Sequence, residues 1–199
     1  MKLTEKATVR AFHRHRLGGT SLQALGFRGP ESQVRRFEAL CTWGDFSGCS
    51  ILDLGCGYGD LKPFLDQRYE DIIYLGVDFL QEFVDGAQAS HGHLPNTQFF
   101  HSDFLTAGLP EVDIVIASGS LNYRSENILH PWQMITRMWE AAGKGVVFNL
   151  LDAKIFGEDE VLCGYDIDEV SAYCKKLDAQ TKILNDYLPD DFTVLMRKS

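Results

Sequence analysis

Short apolar runs alternate with amphipathic stretches through most of the chain. The apolar runs predict five buried strands over residues 49–54, 72–78, 97–101, 112–117 and 145–150. Between the runs, apolar residues recur at helical spacing, as in Phe79, Phe83, Val84 and Ala87. Strands that alternate with helices form βαβ units, so the pattern predicts a mainly parallel sheet covered by helices on both faces.

Local signals place the ends of several helices. A first helix is predicted over 5–17, and Pro30 is typical of the first turn of a second one. Gly143 predicts the C-terminal cap of the long helix before the fifth strand. Asp166, followed three residues later by Glu169, predicts the start of a later helix.

The two ends of the chain depart from this alternation. Residues 1–45 predict an N-terminal helical cap region. Residues 181–188 and 192–198 are β-prone runs, and so short a join between them can only make an antiparallel hairpin. We therefore expect one domain over the whole chain, with a seven-stranded core over 49–199 that ends in this hairpin.

A glycine-rich turn follows the first predicted strand. Gly55, Gly57 and Gly59 stand at alternate positions, and a helical apolar stripe begins directly after them. A strand that feeds such a turn into a helix is a nucleotide-binding arrangement, because glycine lets a ligand approach the backbone. The spacing G-x-G-x-G differs from the G-x-G-x-x-G of dinucleotide folds. Asp53, two residues before the first glycine, favours a ligand with a positive group over a pyrophosphate.

The second predicted strand ends in another acid, Asp78. An acid at this place can accept hydrogen bonds from both ribose hydroxyls of an adenosine. Dinucleotides carry the same ribose, so Asp78 indicates an adenosine-type ligand without choosing among them. Phe79, the next residue, is a candidate for contact with the adenine face, and helix packing is the alternative.

Ten consecutive residues resemble motif I of the class I S-adenosylmethionine-dependent methyltransferases; they are Ile51-Leu52-Asp53-Leu54-Gly55-Cys56-Gly57-Tyr58-Gly59-Asp60. Further stretches resemble one group of small bacterial-type members of undefined substrate, namely Ala24-Leu25-Gly26-Phe27, Glu31-Ser32-Gln33, Arg36-Phe37, Ala117-Ser118-Gly119, Phe148-Asn149-Leu150 and Asp191-Phe192-Thr193-Val194. The resemblance implies an α/β three-layer sandwich, in which a doubly wound, seven-stranded, mainly parallel sheet ends in an antiparallel hairpin. It also implies S-adenosylmethionine as the cofactor.

The resemblance also assigns cofactor contacts by position. Asp103, after the third strand, would accept from the adenine amino group, and the backbone N–H of Phe104 would meet the ring. A helix N-cap is the alternative role for Asp103. Arg36 would lie near the methionine carboxylate, with a solvated surface position as its alternative. The residues implied in cofactor binding are Asp53, Gly55, Cys56, Gly57, Gly59, Asp78, Phe79, Asp103, Phe104, Ser118 and Arg36.

The segment after the fourth strand is expected to face the transferred methyl, because ligands bind beyond the carboxyl ends of strands in such sheets. It carries neither N-P-P-Y nor D-P-P-Y, the signature of methyltransferases that act on amide or nucleobase nitrogens. Asn122 and Tyr123 are candidates for orienting the substrate, and closing the turn is the alternative role. A hydroxyl or ammonium substrate must lose a proton. The candidate bases are Tyr123, His13, His15 and His130, and the sequence does not choose among them.

Composition narrows the function classes. The chain has 199 residues and a net charge of −9, which argues against nucleic acid, since phosphate contacts need clustered Lys and Arg. A basic run over 10–16 is the exception, and a solvated helix face is the commoner role for such a run. The five cysteines form no C-x-x-C pair, which indicates free thiols in a reducing compartment. His91-Gly92-His93 is expected to be a surface loop and not a metal site.

The chain shows no apolar segment of signal-peptide or membrane-spanning type, so we expect a cytoplasmic protein without a membrane partner. Its oligomeric state stays open. The sequence favours a methyltransferase that moves a methyl group from S-adenosylmethionine to a small molecule by in-line displacement. The alternatives are a non-catalytic S-adenosylmethionine-binding protein, a methyltransferase of protein or RNA, and a nicotinamide-dependent oxidoreductase, which the glycine spacing and the hairpin oppose.

Overall fold

The computed structural model describes residues 1–15, 29–177 and 180–198. The helices are α1 (Leu3–Arg14), α2 (Pro30–Cys41), α3 (Leu61–Asp66), α4 (Gln81–His91), α5 (His130–Ala141) and α6 (Ile167–Lys176). The strands are β1 (Ser50–Leu54), β2 (Ile73–Asp78), β3 (Thr97–His101), β4 (Val112–Ala117), β5 (Ala142–Leu151), β6 (Gln180–Leu184) and β7 (Asp191–Arg197). Within the described ranges, no helix is long and apolar enough to cross a lipid bilayer.

Seven strands form one sheet in the order β3-β2-β1-β4-β5-β7-β6. Strand β1 pairs in parallel with β2 on one side and with β4 on the other. Strand β5 pairs in parallel with β4, and β7 lies antiparallel between β5 and β6. The doubly wound, mainly parallel sheet with its antiparallel hairpin is therefore confirmed. Strand order reverses at β1, and ligands bind at the carboxyl end of the strands at such a reversal.

Helices cover both faces of the sheet. On one face, α2, α3 and α4 pack through a buried cluster that includes Leu40, Ile51 and Leu65. On the other face, α5 and α6 pack through a cluster that includes Leu52 and Met138. Ile51 and Leu52 are neighbours on β1 and belong to opposite clusters, as the two-residue period of a strand requires. The core is therefore a three-layer sandwich, and β1 is sealed from solvent on both faces.

The starts of two helices follow the sequence signals. Pro30 is the first residue of α2, and Asp166 caps α6 by accepting hydrogen bonds from two backbone N–H groups. The first helix begins earlier than predicted, at Leu3. Residues 16–28 lie outside the described part of the chain, and they include the stretch 24–27 that contributed to the family resemblance.

Gly143 does not cap α5, so that prediction is wrong. Ala142 is already extended (φ −85°, ψ 131°), and β5 therefore follows the helix with no left-handed cap between them. Strand β5 covers Ala142–Leu151 and is longer than predicted, because its first residue already pairs with β4. The hairpin turn is also longer than expected, since β6 ends at Leu184 and the join covers 185–190.

Gly145 is a position where β5 closely approaches its neighbours. A Cβ atom there would overlap the carbonyl oxygen of Met196 on β7 and lie 3.0 Å from the indole ring of Trp43. The same indole donates its Nε1–H to that carbonyl at 3.1 Å, so the two neighbours hold each other in place. We predict that Gly145→Ala lowers the free energy of unfolding by about 1–3 kcal/mol, a typical cost of overpacking.

Urea unfolding of the two proteins measures this loss, with Gly143→Ala as the matched control. A Cβ atom on Gly143 would have its nearest described neighbour at 3.4 Å, close to ordinary van der Waals contact. That control should change the free energy of unfolding by less than about 0.5 kcal/mol. Equal losses in the two variants would contradict the close approach at Gly145.

Candidate functional site

A cleft of about 160 Å³ opens at the carboxyl edge of the sheet. Part of its wall comes from the glycine-rich turn after β1 and from the end of β2. Other parts come from four helices, α1 to α4, and from the segments after β3, after β4, between β5 and α6, and before β7. The cleft therefore lies where the strand order predicts a ligand, and it joins segments that are far apart in the sequence.

The glycine-rich turn has a backbone that other residues rarely adopt. The φ angles of Gly55, Gly57 and Gly59 are 76°, 54° and 78°, all in the left-handed region. Packing adds a second constraint, because a Cβ atom on Gly55 would overlap the side chain of Ser120. A Cβ atom on Gly59 would lie 2.7 Å from the ring of Phe99. Gly57 lines the cleft, so its backbone is the part of the turn that a ligand can approach.

Asp78 fixes this turn from the end of β2. Its Oδ2 accepts a hydrogen bond from the backbone N–H of Gly57 at 3.0 Å, and its Oδ1 accepts one from Leu80 at 2.9 Å. Burial raises the pKa of the Asp78 carboxyl to about 6, although these backbone hydrogen bonds oppose the rise. Each carboxylate oxygen can accept more than one hydrogen bond, so Asp78 can also receive the hydroxyl groups of a ligand in the cleft.

Asp53, on β1, lines the cleft and is 2% exposed. The hydroxyl of Tyr74 donates a hydrogen bond to Oδ2, whereas Oδ1 has no partner among the described residues. Burial raises the pKa of the Asp53 carboxyl to about 7; the Tyr74 hydrogen bond opposes this rise and the nearby charge of Asp78 adds to it. Buried polar atoms are normally paired, so this oxygen indicates a ligand that brings a positive or hydrogen-donating group.

Helix α1 brings Phe12 and His13 into the wall of the cleft. The Nε2 atom of His13 lies 2.6 Å from the hydroxyl oxygen of Tyr123, which follows β4. The His13 ring is 3% exposed and meets the ring of Phe83 edge-on at 5.2 Å. The basic run is therefore not a uniformly solvated face, because His13, the penultimate residue of α1, is buried and lines the cleft.

The segment between β5 and α6 contributes Phe156 and Leu162 to another part of the wall. Backbone pairing attaches this segment to the residues after β4. Tyr123 forms an isolated antiparallel bridge with Leu162, and the N–H of Arg124 donates to the carbonyl of Val161 at 2.8 Å. These contacts fix the backbone of Tyr123 at the cleft.

Asn122 supports the cleft and does not line it in the described structure. Its Oδ1 accepts the backbone N–H of Leu151 at 3.0 Å, and its Nδ2 donates to the carbonyl of Gly119 at 3.4 Å. The side chain is 4% exposed. The structure therefore favours turn closure, which is the alternative that the sequence left open for Asn122.

A buried polar network extends from the cleft to the terminal hairpin. The hydroxyl of Ser118 donates to Oδ1 of Asn149 at 2.9 Å, and Nδ2 of Asn149 donates to the hydroxyl of Thr193 at 2.6 Å. Thr193 donates in turn to the hydroxyl of Tyr187 at 2.9 Å, which donates to Oδ1 of Asp191 at 3.1 Å. Two stretches that carry the family resemblance, 148–150 and 191–194, therefore meet in this network.

Arg36 joins the network from α2. Its Nε donates to Oδ2 of Asp191 at 2.7 Å, and a second guanidinium nitrogen donates to the same oxygen. The Arg36 side chain is only 16% exposed and lines the cleft, so its position is not a solvated surface. Burial raises the pKa of the Asp191 carboxyl, and the positive charge of Arg36 opposes that rise.

Most residues implied in cofactor binding line the cleft; they are Asp53, Gly55, Cys56, Gly57, Asp78, Phe79, Phe104, Ser118 and Arg36. Gly59 and Asp103 do not line it in the described part of the chain. Gly59 serves the packing of the turn. The Asp103 carboxylate pairs with Lys6 of α1, and its Oδ1 accepts the backbone N–H of Leu105 at 3.2 Å. An adenine contact for Asp103 stays a prediction.

The other histidines do not line the cleft, and His15, a candidate base, is exposed. His130 begins α5 and borders a smaller cavity of about 20 Å³ beside Lys6; burial lowers the pKa of His130. His91 ends α4 instead of lying in a surface loop, and its Nε2 is 3.5 Å from Oδ1 of Asp60. No group of three or more metal-binding side chains occurs within the described ranges.

Sequence reasoning missed Tyr74 as a residue of the site. Its signal is the strand register, since Tyr74 pairs with Ile51 and Asp53 lies two residues further along β1. Residues two apart on a strand share a face, so Tyr74 and Asp53 are diagonal neighbours. This contact depends on the register between β1 and β2, and the spacing of the motif does not supply that register.

Comparison with known proteins adds a family and a fold. The family described as "Methyltransferase domain" matches residues 51–145. Rv1506c, a proposed methyltransferase of Mycobacterium tuberculosis, is 30% identical to this chain over 162 residues. That alignment covers 75% of this chain and 93% of the mycobacterial protein.

Solved structures with little sequence identity share the architecture. Magnesium protoporphyrin IX methyltransferase from Synechocystis PCC 6803, solved with bound S-adenosylhomocysteine, has a TM-score of 0.71 at 15% identity, covering 98% of this chain and 100% of that one. An S-adenosylmethionine-dependent methyltransferase from Aquifex aeolicus has a TM-score of 0.63 at 19% identity, covering 85% and 93%. At these identities the likeness concerns the fold.

The buried acids of the cleft predict an unusual dependence of stability on pH. The pKa of the Asp53 carboxyl is raised from 3.8 to about 7 in the folded chain. Between these values the folded protein holds a proton that the unfolded chain has lost, so stability falls as pH rises through this window. Because each pKa unit corresponds to about 1.4 kcal/mol, the contribution of Asp53 is on the order of a few kcal/mol.

Urea unfolding over a pH series, without added ligand, tests this prediction on the protein and on Asp53→Asn. Subtracting the two curves removes contributions common to both proteins, such as that of His130, and leaves the contribution of Asp53 together with its interaction with Asp78. The difference should favour the variant increasingly as pH rises toward about 7. A difference that does not change with pH would show that Asp53 is not held protonated by burial.

Proposed function

Because the chain belongs to the class I S-adenosylmethionine-dependent methyltransferases, we propose that its cleft binds S-adenosylmethionine and that the methyl group passes to a small molecule by in-line displacement. The observation that supports the donor site best is Asp53 beside the glycine-rich turn. A buried carboxylate oxygen without a described partner suits the ammonium group of the methionine moiety. A pyrophosphate at the same place would be repelled.

The chemistry of the other cleft residues fits the same donor. Asp78 can accept the ribose hydroxyls, as an acid at the end of the second strand does in adenosine sites. Phe79 and Phe104 line the cleft and offer apolar surface for an adenine ring. Arg36 provides a cation for the methionine carboxylate, while Asp191 holds its guanidinium in position.

S-adenosylmethionine supplies a methyl group that is already activated on a sulfonium. The chain therefore has to align the donor with the substrate and keep water out. Ser118 and Tyr123 follow β4 and line the cleft, which supports a role for them beside the substrate. Phe12 and Phe156 contribute apolar surface that excludes water from the same space.

Two features support a small molecule as the methyl acceptor. Part of the cleft wall is apolar, through Leu151, Leu162 and Leu188 in addition to the aromatic residues. The net charge of −9 also disfavours a polyanionic substrate. Mycobacterial Rv1506c carries no substrate in its name, so the substrate has to be found by experiment.

Titration calorimetry tests the donor site directly. We expect S-adenosylmethionine and S-adenosylhomocysteine to bind and NAD to give no signal. Asp78→Ala should weaken both interactions by about 1–3 kcal/mol, the usual cost of stranding buried hydrogen-bonding groups. Tight binding of NAD with no response to the other two compounds would refute the proposed donor.

A second variant tests where the donor lies. Gly57→Arg should abolish binding of S-adenosylhomocysteine, because the new side chain fills the place where the ligand meets the backbone. Gly108→Arg is the matched control, since a Cβ atom there has no described neighbour within 4 Å and the position lies outside the cleft lining. Unchanged affinity in Gly57→Arg, measured by the same calorimetry, would place the donor elsewhere.

A further inference from the structure

We propose that His13 and Tyr123 form a proton relay that accepts the proton of a hydroxyl group on the substrate, so that the enzyme is an O-methyltransferase for a small, largely apolar alcohol or phenol. This inference rests on the proposed function, because the relay serves the methyl transfer. It is based on the observation that the two side chains meet in the cleft wall, although they are 110 residues apart in the sequence.

The geometry of the pair suits proton transfer. The Nε2 atom of His13 and the hydroxyl oxygen of Tyr123 are 2.6 Å apart, within the range of a strong hydrogen bond. Both residues line the cleft. The His13 ring is packed edge-on against Phe12 and Phe83, each at 5.2 Å between ring centres. Its orientation is therefore set by packing as well as by the hydrogen bond.

Polar contacts hold helix α1 against the segments after β3 and β4 and so fix the backbone of His13. The Glu5 carboxylate accepts the backbone N–H of Glu126 at 2.6 Å and the hydroxyl of Ser125 at 3.3 Å. The next residue, Lys6, pairs with Asp103 after β3. Tyr123 is also held through the strand-like pairing of its segment with residues 161–163. These contacts fix α1 and the segment of Tyr123 relative to each other, as a functional site requires.

The reaction balances without a further reagent. The hydroxyl oxygen of the substrate attacks the methyl carbon, and the carbon–sulfur bond breaks with its electron pair remaining on sulfur. The substrate proton passes to the Tyr123 oxygen as the Tyr123 proton passes to Nε2 of His13. The products are a methyl ether, S-adenosylhomocysteine and an imidazolium, which releases its proton to solvent. The relay requires the His13 tautomer with its proton on Nδ1, so that Nε2 is the acceptor.

The charges of the cleft favour a neutral substrate. Asp53, Asp60, Asp78 and Asp190 line the cleft, and the positive charge of Arg36 is opposed by Asp191. A carboxylate substrate would be repelled by these acids and would need no base. A hydroxyl group carries no charge and requires removal of its proton, which the pair of His13 and Tyr123 can provide.

Three probes on one aromatic skeleton test the relay: 2-naphthol, 2-naphthalenethiol and 2-naphthoate. Formation of S-adenosylhomocysteine is measured with each probe for the protein, His13→Gln and Tyr123→Phe. We expect turnover of the naphthol, and a loss of about 10²–10⁴-fold in either variant, the usual contribution of general base catalysis. Methylation of the thiol, which ionises without a base, should be little changed in the same variants.

Calorimetry with S-adenosylhomocysteine separates this inference from the proposed function. Its binding should persist in both variants, and Tyr173→Phe, which removes a distant hydroxyl bonded to Thr136, should retain full naphthol turnover. Equal losses with the naphthol and the thiol, while donor binding is intact, would show that the pair only holds α1 in place. Donor binding without naphthol turnover, or faster methylation of the naphthoate, would overturn the assigned substrate class. Absence of donor binding in the protein itself would instead refute the proposed function.

Discussion

The burial of the Asp53 carboxyl is the constraint to which the rest of the cleft is fitted. Ionising a buried carboxyl near the end of a central strand costs free energy, and a single hydrogen bond from Tyr74 offsets only part of that cost. The sheet tolerates it because β1 is paired on both sides and packed on both faces, so the strand cannot move to expose the acid. Under the proposed function, the ammonium group of the donor would offset this cost, which is the usual trade between stability and function.

Asp78 complements this arrangement from the neighbouring strand. It uses one oxygen to shape the turn after β1 and the other to start α4, so the side chain proposed to bind the ribose also serves the fold. Removing such a residue changes the backbone that surrounds the ligand as well as one contact to it. The polar network from Ser118 to Arg36 has a similar double role, because it connects the cleft to α2 and to the terminal hairpin.

Local sequence signals predicted the sheet, its hairpin and the residues that line the cleft around the glycine-rich turn. Each of those features depends on a strand and the turn directly after it, and such turns are encoded by consecutive residues. The signals failed where the outcome depended on distant partners. Gly143 looked like a helix cap because the pairing of Ala142 with β4 is not visible in its own neighbourhood. His13 looked like part of a basic surface because its partner, Tyr123, is remote in sequence.

The two walls of the cleft differ in how much their side chains contribute to the fold. On the side of the glycine-rich turn, Asp53, Asp78 and the glycines take part in the fold itself, so few substitutions there leave the backbone unchanged. On the opposite wall, the segment after β5 is attached through backbone hydrogen bonds, such as the one from Arg124 to Val161, and through the side chains of Arg124 and Tyr165. Backbone bonds do not depend on the identity of the side chains beside them. Phe156 and Leu162 can therefore be exchanged over evolutionary time on a constant frame, and a lineage of such enzymes can acquire new substrates while inheriting one donor site.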